Sequence, residues 1–226
     1  ATMQEPALLP TTFPNVLVSS NLGIAVGMAS NICGFNLTEV CQTAIAYIKD
    51  PSHDLLSTLK GPDFPTGGEI AGNAGIIEAY STGRGKIIVR GKTHVETSKR
   101  GKESIIITEI PYAVNKTMLL EAMVQAVQNK EIEGVSEIRD ESDRDGLRIV
   151  IDLSRDADAE LIMRQLYRHS SLQTTFGVIN LALVNKHPEI LSMKQLLSIF
   201  LNYRREIVRR RTEYRLKNAK AREHII

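Results

Sequence analysis

The sequence is poor in residue types that several common functional sites require. It has no tryptophan, and aromatic residues make up only 5% of its 226 residues, which argues against a surface that stacks single-stranded nucleic acid. Its two cysteines, Cys33 and Cys41, have no CxxC spacing and no histidine at metal-ligand spacing, so neither a zinc site nor a disulfide framework is predicted. No apolar run is long enough to cross a membrane, and we therefore expect a cytoplasmic protein without a membrane partner.

Catalytic and nucleotide-binding motifs are also missing. The five histidines are scattered, without a serine, cysteine or carboxylate partner at a recognisable spacing. Residues 82–86, TGRGK, lack the rest of a phosphate-binding loop and lead into a predicted strand. An acidic run suggests a divalent cation, but a polar hairpin turn explains it without a metal: Asp140, Glu141, Asp143 and Asp145. We expect no catalytic residue, metal or cofactor in this chain.

Positive charge is concentrated near the C-terminus, although the formal net charge is only +2. The basic residues of this stretch are Arg204, Arg205, Arg209, Arg210, Arg211, Arg215, Lys217, Lys220 and Arg222. Only Glu206 and Glu213 oppose them, so the remainder of the chain is net acidic. Such a run favours a polyanion or an acidic helix as partner, and a solvated helix face is the alternative.

The first third of the chain mixes loops with short helical patterns. Residues 23–32, GIAVGMASNI, are small and apolar and predict a short helix or turn. Asn36 followed by Glu39 predicts a capped helix that ends before Pro51. Residues 75–82 predict another helix, which Gly83 closes.

The middle of the chain predicts an α+β fold with a mixed sheet and packed helices. A strand is predicted at 85–91 with a hairpin partner near 93–97. From residue 104 the predicted order is β-α-β-β-α-β, the ferredoxin-like arrangement. Its strands are predicted at 104–110, 135–139, 147–153 and 178–184, and its helices at 115–130 and 157–168.

A long helix is predicted from about Ser192 to the end of the chain. Its apolar seam follows a 4,3,4 spacing and consists of Leu196, Phe200, Tyr203, Ile207 and Tyr214. Cations occupy later seam positions, so the helix is expected to begin a coiled-coil arm that pairs with another helix.

Several strings of this sequence match one known family in order. They are GIAVGMAS (23–30), GPDFPTGG (61–68), EAYSTGRGK (78–86), TEIPYAVNK (108–116), EGVSEIRDESDRDGLRIVI (133–151), LQTTFG (172–177) and NYRREIVRRRTEYRLKNAKAREHI (202–225). With these motifs the chain resembles the A subunits of type IIA DNA topoisomerases, DNA gyrase and topoisomerase IV. Both ends read as interior sequence, so a fragment is expected.

The resemblance implies a role in an ATP-dependent enzyme that cuts, passes and reseals duplex DNA. Residues 1–188 would correspond to the tower domain and 189–226 to the start of the coiled-coil arm toward the exit gate. The domain with the catalytic tyrosine lies upstream in the family, so this fragment alone is expected to be inactive. The implied partners are duplex DNA, a second A subunit, and the B subunits of an A2B2 complex, which would supply ATP and Mg²⁺.

The resemblance also implies residue roles near the start of the chain. Ile24 matches the family's wedge, an apolar side chain inserted between base pairs. Asn31 and Asn36 are candidate phosphate contacts, although helix capping alone would explain Asn36. The sequence departs from the family at Leu22, where serine or threonine is usual, and in residues 32–35, which read ICGF instead of IPPH.

Two groups of cations are further candidates for DNA binding. Arg84, Lys86 and Arg90 alternate along a predicted strand and would form a phosphate track, with a solvated strand face as the alternative. Arg204 and Arg205 would contact either DNA or the acidic residues of a neighbouring helix.

Other functions remain open at the level of sequence. Gyrase and topoisomerase IV are not separated by these residues. A ferredoxin-like regulatory module, dimerising through its terminal helix, is an alternative from a different class. An RNA-binding α+β module is disfavoured because the predicted strands lack the aromatic residues that stack bases.

Overall fold

The computed structural model describes residues 3–226 and confirms the predicted α+β class. The helices are α1 (Asn15–Val18), α2 (Leu37–Lys49), α3 (Ala74–Thr82), α4 (Lys116–Gln128), α5 (Ala159–His169) and α6 (Met193–Ile225), with a 3₁₀ turn at Leu55–Ser57. The strands are β1 (Asn21–Ala25), β2 (Met28–Ile32), β3 (Glu69–Ala71), β4 (Arg84–Arg90), β5 (Lys92–Thr97), β6 (Glu103–Glu109), β7 (Val135–Asp140), β8 (Ile149–Leu153), β9 (Gln173–Ile179), β10 (Leu181–Val184) and β11 (His187–Ile190).

The chain divides into two compact units. Unit 1 contains the described residues up to Pro62, together with Ala79–Arg84 and Ile179–Ile226. Unit 2 contains Asp63–Glu78 and Gly85–Val178. The predicted division into a tower domain and an arm at residue 188 stays a prediction.

Unit 1 is built around helix α2 and the first turns of α6. The Asn36 side chain accepts a hydrogen bond from the Glu39 amide and so caps α2, as the sequence predicts. Helix α2 buries Val40 and Ala44, and its Tyr47 hydroxyl lies 2.6 Å from the Ser198 hydroxyl of α6. These contacts hold the two helices together.

Helix α6 confirms the predicted long terminal helix. Ser192 and Gln195 form a reciprocal capping box at its start, which fixes where the helix begins. Its buried residues are Met193, Leu196, Leu197 and Leu201, and every side chain from residue 208 onward is exposed. The second half of α6 therefore presents solvated charge, and its pairing with another helix stays a prediction.

Unit 2 contains a four-stranded antiparallel sheet in the order β5-β6-β8-β7. Its β-branched residues alternate so that one face packs on α4 and α5. Ile105, Ile107, Ile149 and Ile151 from the sheet form a core with Leu119, Met123, Ile162 and Leu166 from the helices. In the same unit β4 pairs with β3, and β9 lies beside β4.

The β-α-β-β-α-β order from β6 onward is confirmed, but the sheet edge differs from a ferredoxin fold. Strand β5, and not β9, lies beside β6. The predicted hairpin between the strands at 85–91 and 93–97 is also wrong, because β5 pairs with β6. Gly91 alone separates β4 from β5, and one residue cannot reverse a chain into a hairpin.

Two further predictions of secondary structure are wrong. Residues 23–32 form most of the β1–β2 hairpin instead of a short helix or turn. The strand predicted at 178–184 is interrupted at Asn180, which separates β9 from β10. Asn180 is 2% exposed, and its amide donates to the Gly83 carbonyl while its carbonyl accepts from Leu191. Both backbone groups of this buried residue are therefore hydrogen-bonded to residues outside β9 and β10.

Candidate functional site

The β1–β2 hairpin presents a row of exposed apolar side chains. Ile24 is 82% exposed and lies opposite Ala29, while Leu22 is 74% exposed and lies opposite Asn31. Since strand residues two apart share a face, Leu22 and Ile24 project from the same side of β1. Val26, in the turn, is fully exposed at 100%. Large apolar side chains in such positions contribute nothing to a core and are available for contact with a partner.

Local geometry holds this hairpin in place. Ala25 pairs with Met28, so the turn consists of Val26 and Gly27, and Gly27 adopts a φ of 78°. The Ser30 hydroxyl donates to the Leu181 carbonyl at 2.7 Å. Ile24 and its cross-strand partner Ala29 project from one face of the hairpin, and Ser30, the next residue, projects from the other. The Ser30 hydrogen bond therefore anchors the opposite face and leaves the face that carries Ile24 uncovered.

The segment that follows the hairpin turns into the core of unit 1. Phe35, which stands where the resembled family has histidine, is 5% exposed and contacts the Tyr80 ring at a centroid distance of 6.0 Å. Cys33 is 2% exposed, and burial raises the pKa of its thiol to about 12. A protonated buried thiol is not a nucleophile. Residues 32–35, where the sequence departs from the family's motif, are thus buried in unit 1.

Asn31 and Asn36 occupy different environments in unit 1. Asn31 is half-buried in β2 and pairs with both Leu22 and Ile179 in the backbone register. Asn36 uses its side-chain oxygen to accept the Glu39 amide at 3.2 Å. Capping is therefore an observed role of Asn36, and phosphate binding by either asparagine stays a prediction.

The alternating cations of β4 differ in their exposure and in the contacts that they make within the protein. Arg84 and Lys86 are exposed on one face of the strand. Arg90 is half-buried, donates from Nε to the Gln173 side-chain oxygen at 2.8 Å, and lies 4.8 Å from the centroid of the Tyr167 ring. Arg90 is thus held by protein groups, whereas Arg84 and Lys86 present their charges to solvent.

The basic stretch of α6 begins at half-buried Arg204 and exposed Arg205. The Arg205 guanidinium donates to Asn202 at 3.0 Å, and Glu206 forms ion pairs with Arg209 and Arg210. The two nearest distal cations are therefore partly neutralised along their own helix, as expected for residues three and four positions apart. Arg204 and Arg205 have no ion pair with a carboxylate within residues 3–226.

Comparison with known proteins supplies the deciding observation. A family model for the A subunit of DNA gyrase/topoisomerase IV matches residues 1–226. The chain belongs to the DNA gyrase/topoisomerase IV A-subunit family. It is 56% identical to the DNA gyrase A subunit of Aminobacterium colombiense over 99% of this chain and 28% of that protein. It is 50% identical to the Clostridium acetobutylicum gyrase protein over 99% of this chain and 27% of that protein.

The chain spans about a quarter of the length of the curated DNA gyrase A subunits that it matches. The DNA gyrase A subunit of Helicobacter pylori, for example, is 47% identical over 100% of this chain but only 27% of its own length. The family assignment favours the topoisomerase interpretation over a ferredoxin-like regulatory module.

In this member of the gyrase/topoisomerase IV A-subunit family, the acidic run forms a hydrogen-bonded turn. The Asp143 carboxylate accepts the Asp145 amide, and Lys116 lies 2.9 Å from Asp140. Hydrogen bonds from Ser142 and then Lys116 lower the pKa of Asp140 to about 2. Within residues 3–226 no group of three or more His, Cys, Asp or Glu side chains is arranged to hold a metal ion. In the same residues no helix is both long and apolar enough to span a membrane.

Sequence reasoning identifies only part of the row of exposed apolar residues on the β1–β2 hairpin. It identifies Leu22 only as a departure from the family, and it does not identify Val26. The signal is present, because Leu22, Ile24 and Val26 alternate with smaller residues ahead of Gly27. That pattern is typical of a strand entering a turn.

Proposed function

We propose that this chain is the part of a type IIA topoisomerase A subunit that binds duplex DNA and holds it bent. The exposed Ile24 at the β1–β2 hairpin is the observation that carries the proposal. Family membership supports it, because the relatives are named as the A subunit of DNA gyrase. The same assignment keeps the A subunit of topoisomerase IV as the alternative within the family.

Bending DNA requires favourable contacts that offset its free-energy cost. Bending a few tens of base pairs sharply costs on the order of 1–10 kcal/mol, which contacts made only with bent DNA must offset. Inserting an apolar side chain into a base step costs a few kcal/mol of unstacking and produces a kink. Ile24 suits this role because its side chain is 82% exposed and is not one of the buried residues that form the core.

Cations would hold the arms of the kinked duplex through their phosphates. Arg84 and Lys86 suit this role best, since both are exposed on one face of β4. Arg90 suits it less, because Gln173 and Tyr167 already hold its guanidinium. Arg204 and Arg205 remain candidates for DNA or for an acidic neighbouring helix. These contacts would give salt-dependent affinity without sequence preference.

The complete enzyme would add what these residues lack. We infer that the parent protein pairs with a second A subunit, and with B subunits, in the cytoplasm. ATP and Mg²⁺ would come to the complex through the B subunit, and the cleaving tyrosine through another part of the A subunit. Residues 1–188 would be the tower domain and 189–226 the start of a coiled-coil arm, and this portion alone would be inactive.

Substitution of Ile24 in the complete A subunit, reconstituted with its B subunit, tests the proposal. Bending is measured by fluorescence resonance energy transfer between the ends of a labelled duplex, and supercoiling or relaxation is assayed in parallel. Ile24→Ala is expected to reduce bending and activity. Leu183→Ala is a matched control, because Leu183 is also an apolar strand residue of unit 1 and is 72% exposed.

The two variants together decide the outcome. Loss of bending with Ile24→Ala and normal bending with Leu183→Ala would support a wedge at Ile24. Normal bending by Ile24→Ala would overturn the wedge assignment, while equal losses in both variants would point to general damage of the apolar surface.

A further inference from the structure

A cavity of about 960 Å³ lies at one end of the four-stranded sheet of unit 2. One lip is the turn between β5 and β6, and the other is the segment between β8 and α5. The charged residues of its lining are Arg100, Lys102, Glu103, Arg155 and Asp156. Cations therefore outnumber carboxylates in the lining, and Lys99 adds another cation to the β5–β6 turn.

Backbone hydrogen bonds fix both lips of this cavity. In the β5–β6 turn the Ser98 amide donates to the Lys102 carbonyl at 2.8 Å, and Gly101 adopts a φ of 77°. In the opposite lip the Ser154 amide donates to the Gly134 carbonyl at 2.7 Å, and the Ala157 amide to the Ser154 carbonyl at 3.1 Å. Each lip thus has a defined backbone conformation, which lowers the entropy cost of ordering it on binding.

The cations of the cavity contrast with two arginines of the same sheet. Arg139 pairs with Glu137, Glu141 and Asp152, and Arg148 pairs with Glu96 and Glu141. The side chains of Arg100, Lys102 and Arg155 form no ion pair or hydrogen bond with any of residues 3–226. The two arginines are therefore ion-paired within the unit, whereas the three cations of the cavity lining are not, and Lys102 interacts electrostatically with Asp152 at longer range.

A concave surface that gathers an excess of like charges without ion pairs attracts anions more strongly than a flat one does. Guanidinium groups match the oxygens of a phosphate in a planar, two-bonded geometry, and a lysine adds a point charge. Two arginines and a lysine from both lips can thus surround one phosphate. Glu103 and Asp156 oppose this attraction, so they would limit affinity without abolishing it.

We propose that this cavity binds a backbone phosphate of duplex DNA, separately from the hairpin that carries Ile24. The proposal rests on the proposed function, which supplies duplex DNA as the partner. A phosphodiester held here contributes affinity that is independent of base sequence and decreases as salt concentration rises. A free phosphate ion has the same chemistry and is distinguished by experiment.

The test measures the salt dependence of duplex binding by the complete A subunit. Each phosphate contact removed is expected to reduce the slope of log affinity against log salt by about 0.9. Because a single phosphate is proposed, the triple variant Arg100→Gln, Lys102→Gln, Arg155→Gln should lower the slope by about 0.9, and Arg155→Gln alone by no more than that. Asp156→Asn should act in the opposite direction and raise the affinity.

Arg164→Gln is the matched control. Arg164 lies on α5 in the same unit, is exposed, and forms an ion pair with Glu160 at 3.1 Å. Its substitution removes the same charge from the unit without touching the cavity, so the salt slope should stay at the wild-type value. Thermal unfolding of each variant establishes that the exposed substitutions leave the fold intact.

The outcomes separate this proposal from the proposed function. If the wild-type protein shows no salt-sensitive duplex binding, the proposed function fails. If Ile24→Ala reduces bending while the cavity variants keep the wild-type slope, only the cavity proposal is overturned. It is also overturned if inorganic phosphate binds the wild-type protein but not the triple variant, while both bind duplex DNA with the same slope.

Discussion

Ile24 lies directly opposite Ala29 in the β1–β2 hairpin. The small alanine covers little of its cross-strand neighbour, which leaves the Ile24 side chain 82% exposed. At the base of the same hairpin Ile32 is only 3% exposed. The β1–β2 hairpin therefore carries one isoleucine that is buried in the fold and one whose side chain is exposed for contact with a partner.

This difference in exposure predicts that the same substitution has unequal effects on stability at the two positions. Ile24→Ala should change the free energy of unfolding by no more than about 0.5 kcal/mol, because the side chain is not in the core. Ile32→Ala should lower it by about 2–5 kcal/mol through lost burial and a residual cavity. Urea denaturation of both variants measures the difference, and a large loss for Ile24→Ala would mean that its exposed side chain has a structural role.

Much of the fold could be predicted from sequence because local signals were strong. Asn36 with Glu39, Gly83 and Ser192 marked helix ends that the structure confirms. β-branched runs likewise marked β6 and β8. In these segments the local preference and the tertiary packing favour the same structure.

The sequence was less informative where long-range contacts decide the structure. The sequence pattern does not define where β4 ends and β5 begins, and the structure shows that only Gly91 separates them, so that β5 pairs with β6 instead of β4. The β10–β11 hairpin was missed, although Asn185 and Lys186 adopt positive φ values of 50° and 68° in its turn. Asparagine tolerates this conformation, but lysine gives no such signal.

The candidate site was predictable only in part, for a related reason. Resemblance to a family suggested Ile24, but exposure is a property of the folded chain and required the structure. The same holds for Arg90, whose position in an alternating pattern suggests DNA contact, whereas in the folded chain it has a hydrogen bond to Gln173 and a ring contact with Tyr167. Partners from distant parts of the chain cannot be derived from spacing alone.

Phe35 provides a second prediction, because it replaces a residue that is polar in the resembled family. Phe35→His would place an imidazole in a site that is 5% exposed and beside Tyr80. We expect a loss of about 1–4 kcal/mol in stability, from lost apolar burial and an imperfectly bonded polar group. DNA affinity should not rise, since the new side chain would stay in the core, and a stable variant with tighter DNA binding would contradict this interpretation.

The cations of β4 should separate into a DNA contact and a structural residue. Lys86→Gln is expected to reduce the salt slope of duplex binding by about 0.9 and to leave stability within about 0.5 kcal/mol. Arg90→Gln should instead lower stability by about 1–3 kcal/mol, because it removes a bond to Gln173 and a ring contact with Tyr167. Binding titrations and urea denaturation of both variants test the distinction, which fails if the two behave alike.

Acid should weaken unit 2 through its paired carboxylates. Hydrogen bonds from Arg148, and then from His94, lower the pKa of Glu96 from 4.5 to about 2. A carboxylate whose pKa is depressed by folding contributes stability that is fully present above its unfolded pKa and is lost as pH falls toward the folded pKa. The free energy of unfolding should therefore decrease from about pH 4.5 to about pH 2.

Removal of the arginine partner tests this acid sensitivity. Arg148→Gln should make the decrease shallower, as measured by urea denaturation across the same pH range, because Glu96 would then titrate closer to its unfolded value. Arg164→Gln serves as the control for loss of a surface cation, since its ion pair with Glu160 lies on α5. An unchanged pH profile in Arg148→Gln would show that the Glu96 pair contributes no acid sensitivity.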